Sequence, residues 1–300
     1  MRALIVGSAT IDDFGNTFRV GGSVYYGGKA LTMLPNVEVH VLTPIDKLYG
    51  KVILGTFEVE GINVHSLECE SLPVFTIRFG RASGLKSRGC VIDVKEVVNV
   101  VNHLNPEILI LAPVFKELSV EHVSYLLSVV KESVKVASVD IQGLVREIDN
   151  SGISCLWREK IFEVVNKANL THGNLREFCF TNNTATILRT LQASIMKSSE
   201  ASVAVTMDGK GLFLITRDGS YEVPALKVDT VDEVGAGDVF TAVSTYYLAL
   251  NDAPLTASIK GSIAAALKVS KPYGRWFTED EINSYVTKFR DLKKFEVFSV

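Results

Sequence analysis

The segment with the clearest chemistry places two glycines around one alanine, directly before an apolar pattern with helical spacing. Gly235, Ala236 and Gly237 form this turn, and Asp238 follows it. The first N–H groups of a helix have no partner inside the helix, and glycine lets an anion approach them without a Cβ in the way. In the first turn the helix dipole favours the charged carboxylate, so we expect a low pKa for Asp238. The segment therefore predicts an anion hole beside a proton acceptor, which is typical of phosphoryl transfer to a hydroxyl.

A purely structural interpretation of this segment is equally good when the segment is taken alone. Two glycines can make a tight turn, and Asp238 can stabilise the start of the helix without taking part in a reaction. The turn by itself does not decide between the two interpretations.

An amide and a carboxylate follow another apolar run, at Asn174 and Glu177. Their oxygens could hold hydrated Mg²⁺ near a phosphate. The same spacing is that of a capping box, in which the asparagine and the glutamate close the start of a helix. For this segment alone the cap is the stronger interpretation, and magnesium binding is the alternative.

Carboxylates also follow two predicted strands, where open α/β sheets bind ligands. Of the neighbouring Asp12 and Asp13, we prefer Asp12 as the inward residue that could accept hydrogen bonds from polyol hydroxyls. A later strand is followed by Asp140, Gln142 and Arg146, which offer a carboxylate, an amide and a guanidinium. An ordinary surface loop explains that second group about as well.

Other catalytic motifs fail on spacing. The dinucleotide pattern G-x-G-x-x-G is broken because Phe240 occupies the third glycine position, and a P-loop is broken because Gly28 stands where lysine is needed. No G-x-S-x-G nucleophile elbow occurs. The histidines lack metal-ligand spacing, so we interpret them as structural or surface residues. They are His40, His65, His103, His122 and His172.

The elements that must position these residues follow from the apolar pattern. Short β-rich runs alternate with helix-length segments, which predicts an α/β fold with a mostly parallel central sheet flanked by helices. The runs are residues 4–6, 39–42, 108–111, 136–139 and 203–206. Strand-like alternation over 17–26, 74–79 and 90–94 predicts a small β-sheet lid, with segments of about 14–28 and 72–94. We expect one domain over residues 1–300, with helices beginning near Gly235 and spanning 256–269.

Composition limits the class of protein. The chain has 300 residues, of which 47% are hydrophobic and 22% charged, so it can bury a large core. A net charge of -3 argues against nucleic acid as a partner. The longest apolar run is far shorter than the roughly 20 residues of a membrane span, which argues against a membrane partner. The four cysteines lack a C-x-x-C pair, so we expect neither a zinc knuckle nor disulfides. Free cysteines fit a protein of the reducing cytoplasm. They are Cys69, Cys90, Cys155 and Cys179.

Taken in order along the chain, these motifs resemble the ribokinase (PfkB) family of carbohydrate kinases. Residues 7–12 are similar to its first strand and substrate aspartate, and Gly21 and Gly22 to its paired lid glycines. Asn174 and Glu177 are similar to its N-x-x-E magnesium motif. Residues 232–238 are similar to its D-x-x-G-A-G-D signature, whose last aspartate is the family's catalytic base. Two weak motifs matched in order favour a function for both.

Two further segments refine the resemblance. Residues 205–211 are similar to the strand and turn that hold the nucleotide phosphates, and residues 140–146 to the D-x-Q-G-x-x-R stretch of myo-inositol kinases and their archaeal relatives. The resemblance implies that adenine lies between that turn and the helix from Thr256, near the loop 271–275. The implied nucleotide-binding residues are Thr206, Asp208, Gly209, Gly211 and Gly274.

Three positions depart from the family pattern. Glu233 replaces the threonine after the first signature aspartate, which puts a monovalent-cation site in doubt. Tyr26 stands where many ribose and fructose kinases have an asparagine, so a furanose pocket of that kind is disfavoured. Asp208 occupies the first glycine position of the nucleotide turn, which should alter the phosphate contacts.

The resemblance implies a kinase that uses ATP and Mg²⁺ to phosphorylate a small polyol or sugar, with myo-inositol as the first candidate. Asp238 would be the base, and the N–H groups of Gly235, Ala236 and Gly237 would receive charge. Mg²⁺ would be held by Asn174 and Glu177. The implied substrate-binding residues are Asp12, Gly22, Tyr26, Gln142 and Arg146.

Several alternatives stay open. The acceptor could be a nucleoside, ribose or another sugar, and a sugar phosphate ranks lower because arginines such as Arg81 are more often surface residues. A silent nucleotide or sugar sensor is the competing class. Lid strands can pair between subunits, so a homodimer also stays open.

Overall fold

A large sheet organises the fold of the chain, which a computed structural model describes for residues 1–149, 152–196, 200–271, 274–289, 292 and 294–295. The strands are β1 (Arg2–Val6), β2 (Thr10–Asp13), β3 (Phe18–Gly21), β4 (Glu38–Ile45), β5 (Asn63–Glu68), β6 (Val74–Arg78), β7 (Arg81–Ser87), β8 (Ile108–Leu111), β9 (Val136–Asp140), β10 (Arg146–Asp149), β11 (Gly152–Cys155), β12 (Leu170–Asn174), β13 (Ser202–Thr206), β14 (Gly211–Thr216), β15 (Gly219–Pro224) and β16 (Lys294–Phe295).

Helices cover the two faces of this sheet. They are α1 (Ser23–Thr32), α2 (Gly50–Val59), α3 (Val94–Leu104), α4 (Val120–Val129), α5 (Gln142–Val145), α6 (Ile161–Lys167), α7 (Thr184–Ile195), α8 (Ala236–Ala249), α9 (Pro254–Ser270) and α10 (Glu279–Val286). Short 3₁₀ turns occupy Leu175–Glu177, Asp208–Lys210 and Thr287–Phe289. Within the described residues, no helix is both long and apolar enough to cross a bilayer.

The strand order of the large sheet, in the described part of the chain, is β16-β15-β14-β13-β12-β9-β8-β1-β4-β5. From β13 to β5 the strands pair in parallel, and β14, β15 and β16 extend the β13 edge in antiparallel fashion. The predicted mostly parallel sheet is therefore confirmed.

Burial on both faces explains why the central strand is continuously apolar. Successive side chains of a strand point to opposite faces. Ile5 of β1 packs into the core shared with α1, α8 and α9, whereas Leu4 and Val6 pack into the core shared with α3, α4, α6 and α7. A parallel strand covered by helices on both sides reads as an unbroken apolar run.

The ends of the central strands meet at one edge of the sheet. The chain passes from β1 to β4 on one side and later returns to β8 on the other side of β1. Ligands of open α/β sheets bind outside the carboxyl ends of the strands at such a switch point. The topology therefore brings the segments after β1, β8, β9, β12 and β13 to one location.

A small four-stranded sheet lies over that location, in the order β3-β2-β6-β7. Its apolar residues Phe75 and Ile77 pack with Val114 and Phe115, which follow β8. The separate hairpin of β10 and β11 contributes Ile148 and Ile153 to the same cluster. Apolar contacts thus join the small sheet to the carboxyl ends of the large one.

Two parts of the predicted lid have a different secondary structure. The strand predicted over 17–26 ends at Gly21, and α1 begins at Ser23, because one face of this segment packs Val24 and Leu31 into the main core. The strand predicted over 90–94 is absent among these described residues. Helix α3 starts at Val94 instead, where the Asp93 side chain caps it by accepting from the N–H of Lys95.

The prediction that the cysteines are unpaired is wrong. Cys69 is bonded to Cys90, with Cα atoms 5.9 Å apart, and Cys155 to Cys179, with Cα atoms 6.3 Å apart. Spacing along the sequence does not exclude a disulfide, because folding brings distant cysteines together. Cys69 follows β5 and Cys90 follows β7, whereas Cys155 ends β11 and Cys179 comes after β12. Disulfides occur in oxidising compartments and also inside hyperthermophilic cells, so the cysteines no longer argue for a reducing compartment.

Candidate functional site

A cavity of about 660 Å³ lies where the central strands end. The residues predicted from the sequence that line it are Asp12, Gly22, Tyr26, Gln142, Arg146, Asn174, Glu177, Thr206, Asp208, Gly209, Gly211, Gly235, Ala236, Gly237 and Asp238. Gly274 is exposed and, as far as the described residues reach, does not line the cavity. The structure thus brings together residues that lie more than 200 positions apart in the chain.

Helix α8 begins at the wall of the cavity in a left-handed turn. The N-cap residue Gly235 has φ 82°, and a Cβ on it would lie 2.2 Å from Cγ of the Tyr26 ring, so conformation and space both require glycine. The N–H of Ala236 donates to the carbonyl of Glu233 at 3.2 Å. Between described residues, the N–H groups of Gly235 and Gly237 make no hydrogen bond and are left for a ligand.

The carboxyl of Asp238 is buried in the first turn of α8. Its pKa is raised to about 7, first by burial and then by the nearby Asp140 charge, although the hydrogen bond with Ser23 and the charge of Arg146 oppose the rise. The low pKa expected from the helix dipole is therefore wrong, because loss of water outweighs the dipole here. The Nε2 amide of Gln142 donates to Oδ1 of Asp238 at 3.1 Å and to Oγ of Ser23 at 2.9 Å. Gln142 and Ser23 both bond to the carboxyl and to each other, which orients the carboxyl.

A buried histidine that the sequence assigned to a structural or surface role lies in the same wall. Nδ1 of His172 is 2.8 Å from Oδ2 of Asp140, and its Nε2 is 3.1 Å from Oγ1 of Thr206. Burial, the largest influence, lowers the pKa of His172, but the Asp140 carboxylate and its hydrogen bond raise the pKa above its usual range. The period of two along β12 was an available signal, because it puts His172 on the same side as Asn174.

Asn174 and Glu177 form a capping box, the interpretation that this segment favours when it is taken alone. Oε2 of Glu177 accepts from the N–H of Asn174 at 2.7 Å, and Oδ1 of Asn174 accepts from the N–H of Arg176 at 3.2 Å. The box closes a single 3₁₀ turn. Burial, and then the Asp140 charge, raise the pKa of Glu177. The cap and the cavity wall are therefore the same residues.

The donor atoms of this wall fit Mg²⁺. Hydrogen bonds between described residues engage Oε2 of Glu177 and leave Oε1 without one. Oxygens of carboxylates are the ligands that Mg²⁺ takes, usually with several waters kept. Asp140, Glu177 and Asp238 concentrate negative charge in the cavity, with Arg146 as a nearby positive charge. A divalent cation would offset that excess.

The turn after β13 carries its own charge cluster. Oδ2 of Asp208 lies 2.9 Å from Nη2 of Arg81 and 3.1 Å from Nη2 of Arg176, and its Oδ1 accepts from Nδ2 of Asn174 at 3.0 Å. Asp208 has φ 53°, which is a left-handed conformation. Glycine adopts this conformation most easily, and by the resemblance to the family this position is the first glycine of the nucleotide turn. Arg81 was considered a surface residue and Arg176 was not singled out, yet both line the cavity.

The opposite end of the cavity is built around Asp12 of β2. Its Oδ1 accepts from Oγ1 of Thr10 at 3.0 Å, and its Oδ2 accepts from the hydroxyl of Tyr26 at 3.0 Å. Burial raises the pKa of Asp12, and these two hydrogen bonds work against the rise. Gly22 lies beside them with φ 89°, where a Cβ would meet the carbonyl of Ser8 at 2.3 Å. This end offers polar atoms suited to hydroxyls.

A mostly apolar slot extends the cavity beyond the phosphate turn. It lies between the segment that follows β15 and one face of α9, and its lining includes Leu226, Val228, Ala265, Ala266 and Val269. Such a slot suits the flat face of a base, where the sequence placed adenine. Of the loop 271–275 named for the same role, residues 272 and 273 lie outside the described residues.

Comparisons with known proteins concern the family and the fold of the chain. The model of the pfkB family carbohydrate kinases matches residues 101–279. A deoxyribokinase of Salmonella typhi is 32% identical over 83 residues, which is 28% of this chain, and the match spans only 27% of the length of that relative.

Similar solved structures cover nearly the whole chain. A pyrophosphate-dependent kinase in the ribokinase family, complexed with a pyrophosphate analog and myo-inositol, has a TM-score of 0.75 at 17% identity and covers 95% of this chain and 100% of its own. A ribokinase of Thermotoga maritima has a TM-score of 0.70 at 16% identity and covers 95% and 99%. At such identities the likeness establishes a ribokinase-like fold.

Proposed function

The chain belongs to the pfkB family of carbohydrate kinases, and we propose that it transfers the γ-phosphoryl group of ATP to a hydroxyl of a small polyol or sugar. The observation that carries the proposal is the carboxyl of Asp238, which is buried with a pKa of about 7 at the glycine-lined start of α8. A base with a pKa near the working pH is the kind that removes a proton from a hydroxyl in the transition state.

In the proposed reaction, Asp238 takes the proton as the hydroxyl oxygen bonds to the γ-phosphorus, and the bond to the β,γ-bridging oxygen breaks to release ADP. The N–H groups of Gly235 and Gly237 face developing charge on the phosphoryl oxygens. Gln142 and Ser23 keep the carboxyl of Asp238 oriented throughout. Ala236 has a smaller role than the sequence implied, because Glu233 already accepts from its N–H.

Mg²⁺ would be held by Glu177, largely through water, with Asn174 beside it. When bound, the ion neutralises charge on the transferring phosphates. Arg81 and Arg176, now paired with Asp208, would supply further positive charge at the same end of the cavity. Each pair is partly exposed, so its partners can exchange Asp208 for phosphate oxygens at small cost.

The acceptor is proposed to lie at the Asp12 end of the cavity. Asp12, Thr10 and Tyr26 offer an acceptor and hydroxyls. The Oε1 of Gln142 offers a further acceptor and Arg146 offers donors, so a ring with many hydroxyls can be paired on several sides. Myo-inositol is the first candidate, supported by the D-x-Q-G-x-x-R stretch and by the similar kinase solved with myo-inositol. The small sheet would act as a lid that excludes water.

ATP is the preferred donor over pyrophosphate. The similar kinase named above is pyrophosphate-dependent, and pyrophosphate needs no site for a base. The apolar slot between α9 and the segment after β15 favours ATP, because it would remain unfilled with pyrophosphate. Ribose, deoxyribose or a nucleoside is the alternative acceptor, with the partial deoxyribokinase match in its support.

Two further parts of the proposal concern the setting of the enzyme. A cytoplasmic location is supported by its need for ATP rather than by its cysteines. A homodimer through an edge of the small sheet is supported by Phe18, an apolar residue that is 58% exposed. It lies on β3, an edge strand of that sheet.

A panel assay tests the proposal. Purified protein and Mg²⁺ are mixed with ATP or pyrophosphate and with myo-inositol, ribose, deoxyribose, fructose or a nucleoside, and ADP or phosphate release is measured with the phosphorylated product. We expect the fastest transfer from ATP to myo-inositol. Transfer to another acceptor would replace the substrate, and faster transfer from pyrophosphate would replace the donor. Tight ATP binding without transfer to any acceptor would favour the sensor.

A further inference from the structure

A lysine that the proposed reaction does not use is completely buried behind the glycine turn. Lys268 of α9 is 0% exposed. Its Nζ donates to the carbonyl of Asp232 at 3.0 Å and to the carbonyl of Val234, and lies 3.3 Å from Oδ2 of Asp232. An uncharged amine has two N–H donors, whereas the ammonium has three. Three oxygen acceptors therefore match the charged form.

The surroundings of this ammonium keep water away from it. Nζ lies 5.4 Å from the centre of the Tyr26 ring and 5.8 Å from the Trp276 ring. A buried charge is costly unless it is paired and hydrogen-bonded, so this arrangement has to hold its oxygens firmly. The guanidinium of Arg19 binds both oxygens of Asp232 from the other side, at 2.9 and 3.0 Å. The loop that contains Asp232 and Val234 is therefore bonded both to α9 and to β3.

The bond from Lys268 to Val234 constrains the segment that directly precedes α8. Val234 is followed by Gly235, whose N–H belongs to the same peptide unit as the Val234 carbonyl. In a trans peptide the carbonyl and the N–H point in opposite directions. Because Lys268 holds that carbonyl, it also turns the N–H of Gly235 to the opposite side and limits rotation of the peptide.

We propose that the ammonium of Lys268 is a built-in cation that positions the anion hole. The oxygens that surround it form a cation site that could otherwise hold a monovalent metal ion. Backbone carbonyls are the groups that replace the hydration shell of K⁺ in proteins, and here two carbonyls and a carboxylate converge on one nitrogen. Lys268 is a positioning residue, since it acts through Asp232 and Val234. This role rests on the proposed kinase function, and it makes transfer independent of K⁺.

The experiment combines variants of Lys268 with a choice of monovalent cation at constant ionic strength. Lys268→Ala removes the charge and leaves space, and Lys268→Met removes the charge but fills the space. Lys260→Ala is the matched control, because Lys260 is on the same helix and pairs with Asp252 at 2.8 Å, away from the glycine turn. The kcat and KM of each protein are measured in KCl, NH₄Cl and tetramethylammonium chloride.

We expect the unaltered protein and Lys260→Ala to have the same kcat in all three salts. In tetramethylammonium, Lys268→Ala should lose about a hundredfold in kcat, the usual order for a small displacement of catalytic groups. K⁺ or NH₄⁺ should restore most of that loss in Lys268→Ala and little of it in Lys268→Met. A lysine with a merely structural role would not produce rescue by a small cation.

Several outcomes overturn the proposal. They are strong activation of the unaltered protein by K⁺, full activity of Lys268→Ala in tetramethylammonium, and lost activity that no small cation restores. Should Lys268→Ala fail to fold, the salt dependence of the unaltered protein decides alone.

Thermal unfolding separates this proposal from the kinase proposal. If no acceptor is phosphorylated, the kinase proposal fails, but K⁺ should still raise the Tm of Lys268→Ala relative to tetramethylammonium. The Tm of the unaltered protein and of Lys268→Met should not respond. An equal Tm change in all three proteins would contradict a cation site at the position of Lys268.

Discussion

The capping box of Asn174 and Glu177, here called the cavity box, has a counterpart at the surface in Thr278 and Glu281, the surface box. In each, the glutamate accepts from the N–H of the N-cap residue, at 2.7 Å in the cavity box and 2.8 Å in the surface box. Burial raises the pKa of Glu177, whereas the hydrogen bond from Lys271 lowers the pKa of Glu281. The same local motif thus gives two carboxyls with opposite tendencies.

First-turn aspartates repeat this contrast. Asp238 lies in the first turn of α8 and Asp280 in the first turn of α10. Both experience the positive end of a helix dipole, yet Asp238 is buried and its pKa rises to about 7, while Asp280 is exposed. Backbone geometry is therefore set locally, and chemical character is set by what the fold packs around the carboxyl.

The largest expected effect comes from Asp238→Asn. Removing the proton acceptor should lower kcat by about a hundredfold or more, the usual size of a general-base contribution, while ATP still binds. The control Asp280→Asn should leave kcat unchanged. Initial-rate kinetics and a binding titration with ATP check this, and a kcat near that of the unaltered protein would remove Asp238 from the mechanism.

The pH profile should give the next largest effect. A base must be deprotonated to act, so kcat/KM should rise with pH up to about 7, near the raised pKa of Asp238, and then level off. Below that pH it should fall by about tenfold per unit, because the deprotonated fraction of Asp238 shrinks by that factor. A carboxyl with the ordinary aspartate pKa of about 4 would instead give a flat profile above about pH 5.

The raised pKa of Asp238 also makes the stability of the fold depend on pH. A pKa that is raised in the folded protein means that stability is lost as the pH rises through it. The Tm of Asp238→Asn should therefore exceed that of the unaltered protein by more at pH 8 than at pH 5. An advantage that stayed constant with pH would contradict the raised pKa.

The smallest expected effect compares the two boxes. Glu177→Gln keeps the shape of the cavity box but removes a charge, so the Mg²⁺ concentration for half-maximal rate should rise by about tenfold. Glu281→Gln in the surface box should leave that concentration unchanged. Rates measured across a Mg²⁺ series decide the matter, and equal responses of both variants would reduce the cavity box to a cap.

Much of the fold could be predicted because its signals are local. Apolar runs gave β8 its bounds, and the predicted helix over 256–269 lies within α9 (Pro254–Ser270). The start of α8 followed from two glycines and an aspartate. Helix α1 was missed because its strand-like alternation over 17–26 is overridden by packing of Val24 and Leu31 against the main core.

The parts that could not be predicted depend on contacts between distant residues. The cysteine pairs, the bond of His172 to Asp140 and the burial of Lys268 behind Val234 all require the folded chain. The pKa of Asp238 belongs to the same class, because burial outweighs the local dipole argument. The chemistry of the site is thus less visible in the sequence than its position.

The ring of Tyr26 rests directly on Gly235, and its hydroxyl donates to Asp12. One rigid side chain therefore touches both the end of the cavity proposed for the acceptor and the turn proposed for the phosphoryl group. A molecule that displaced the phenol would remove the ring that covers this glycine. Arrival of a well-fitting acceptor and readiness of the phosphoryl pocket would then be mechanically linked, which would give the enzyme a simple means to avoid spending nucleotide on water.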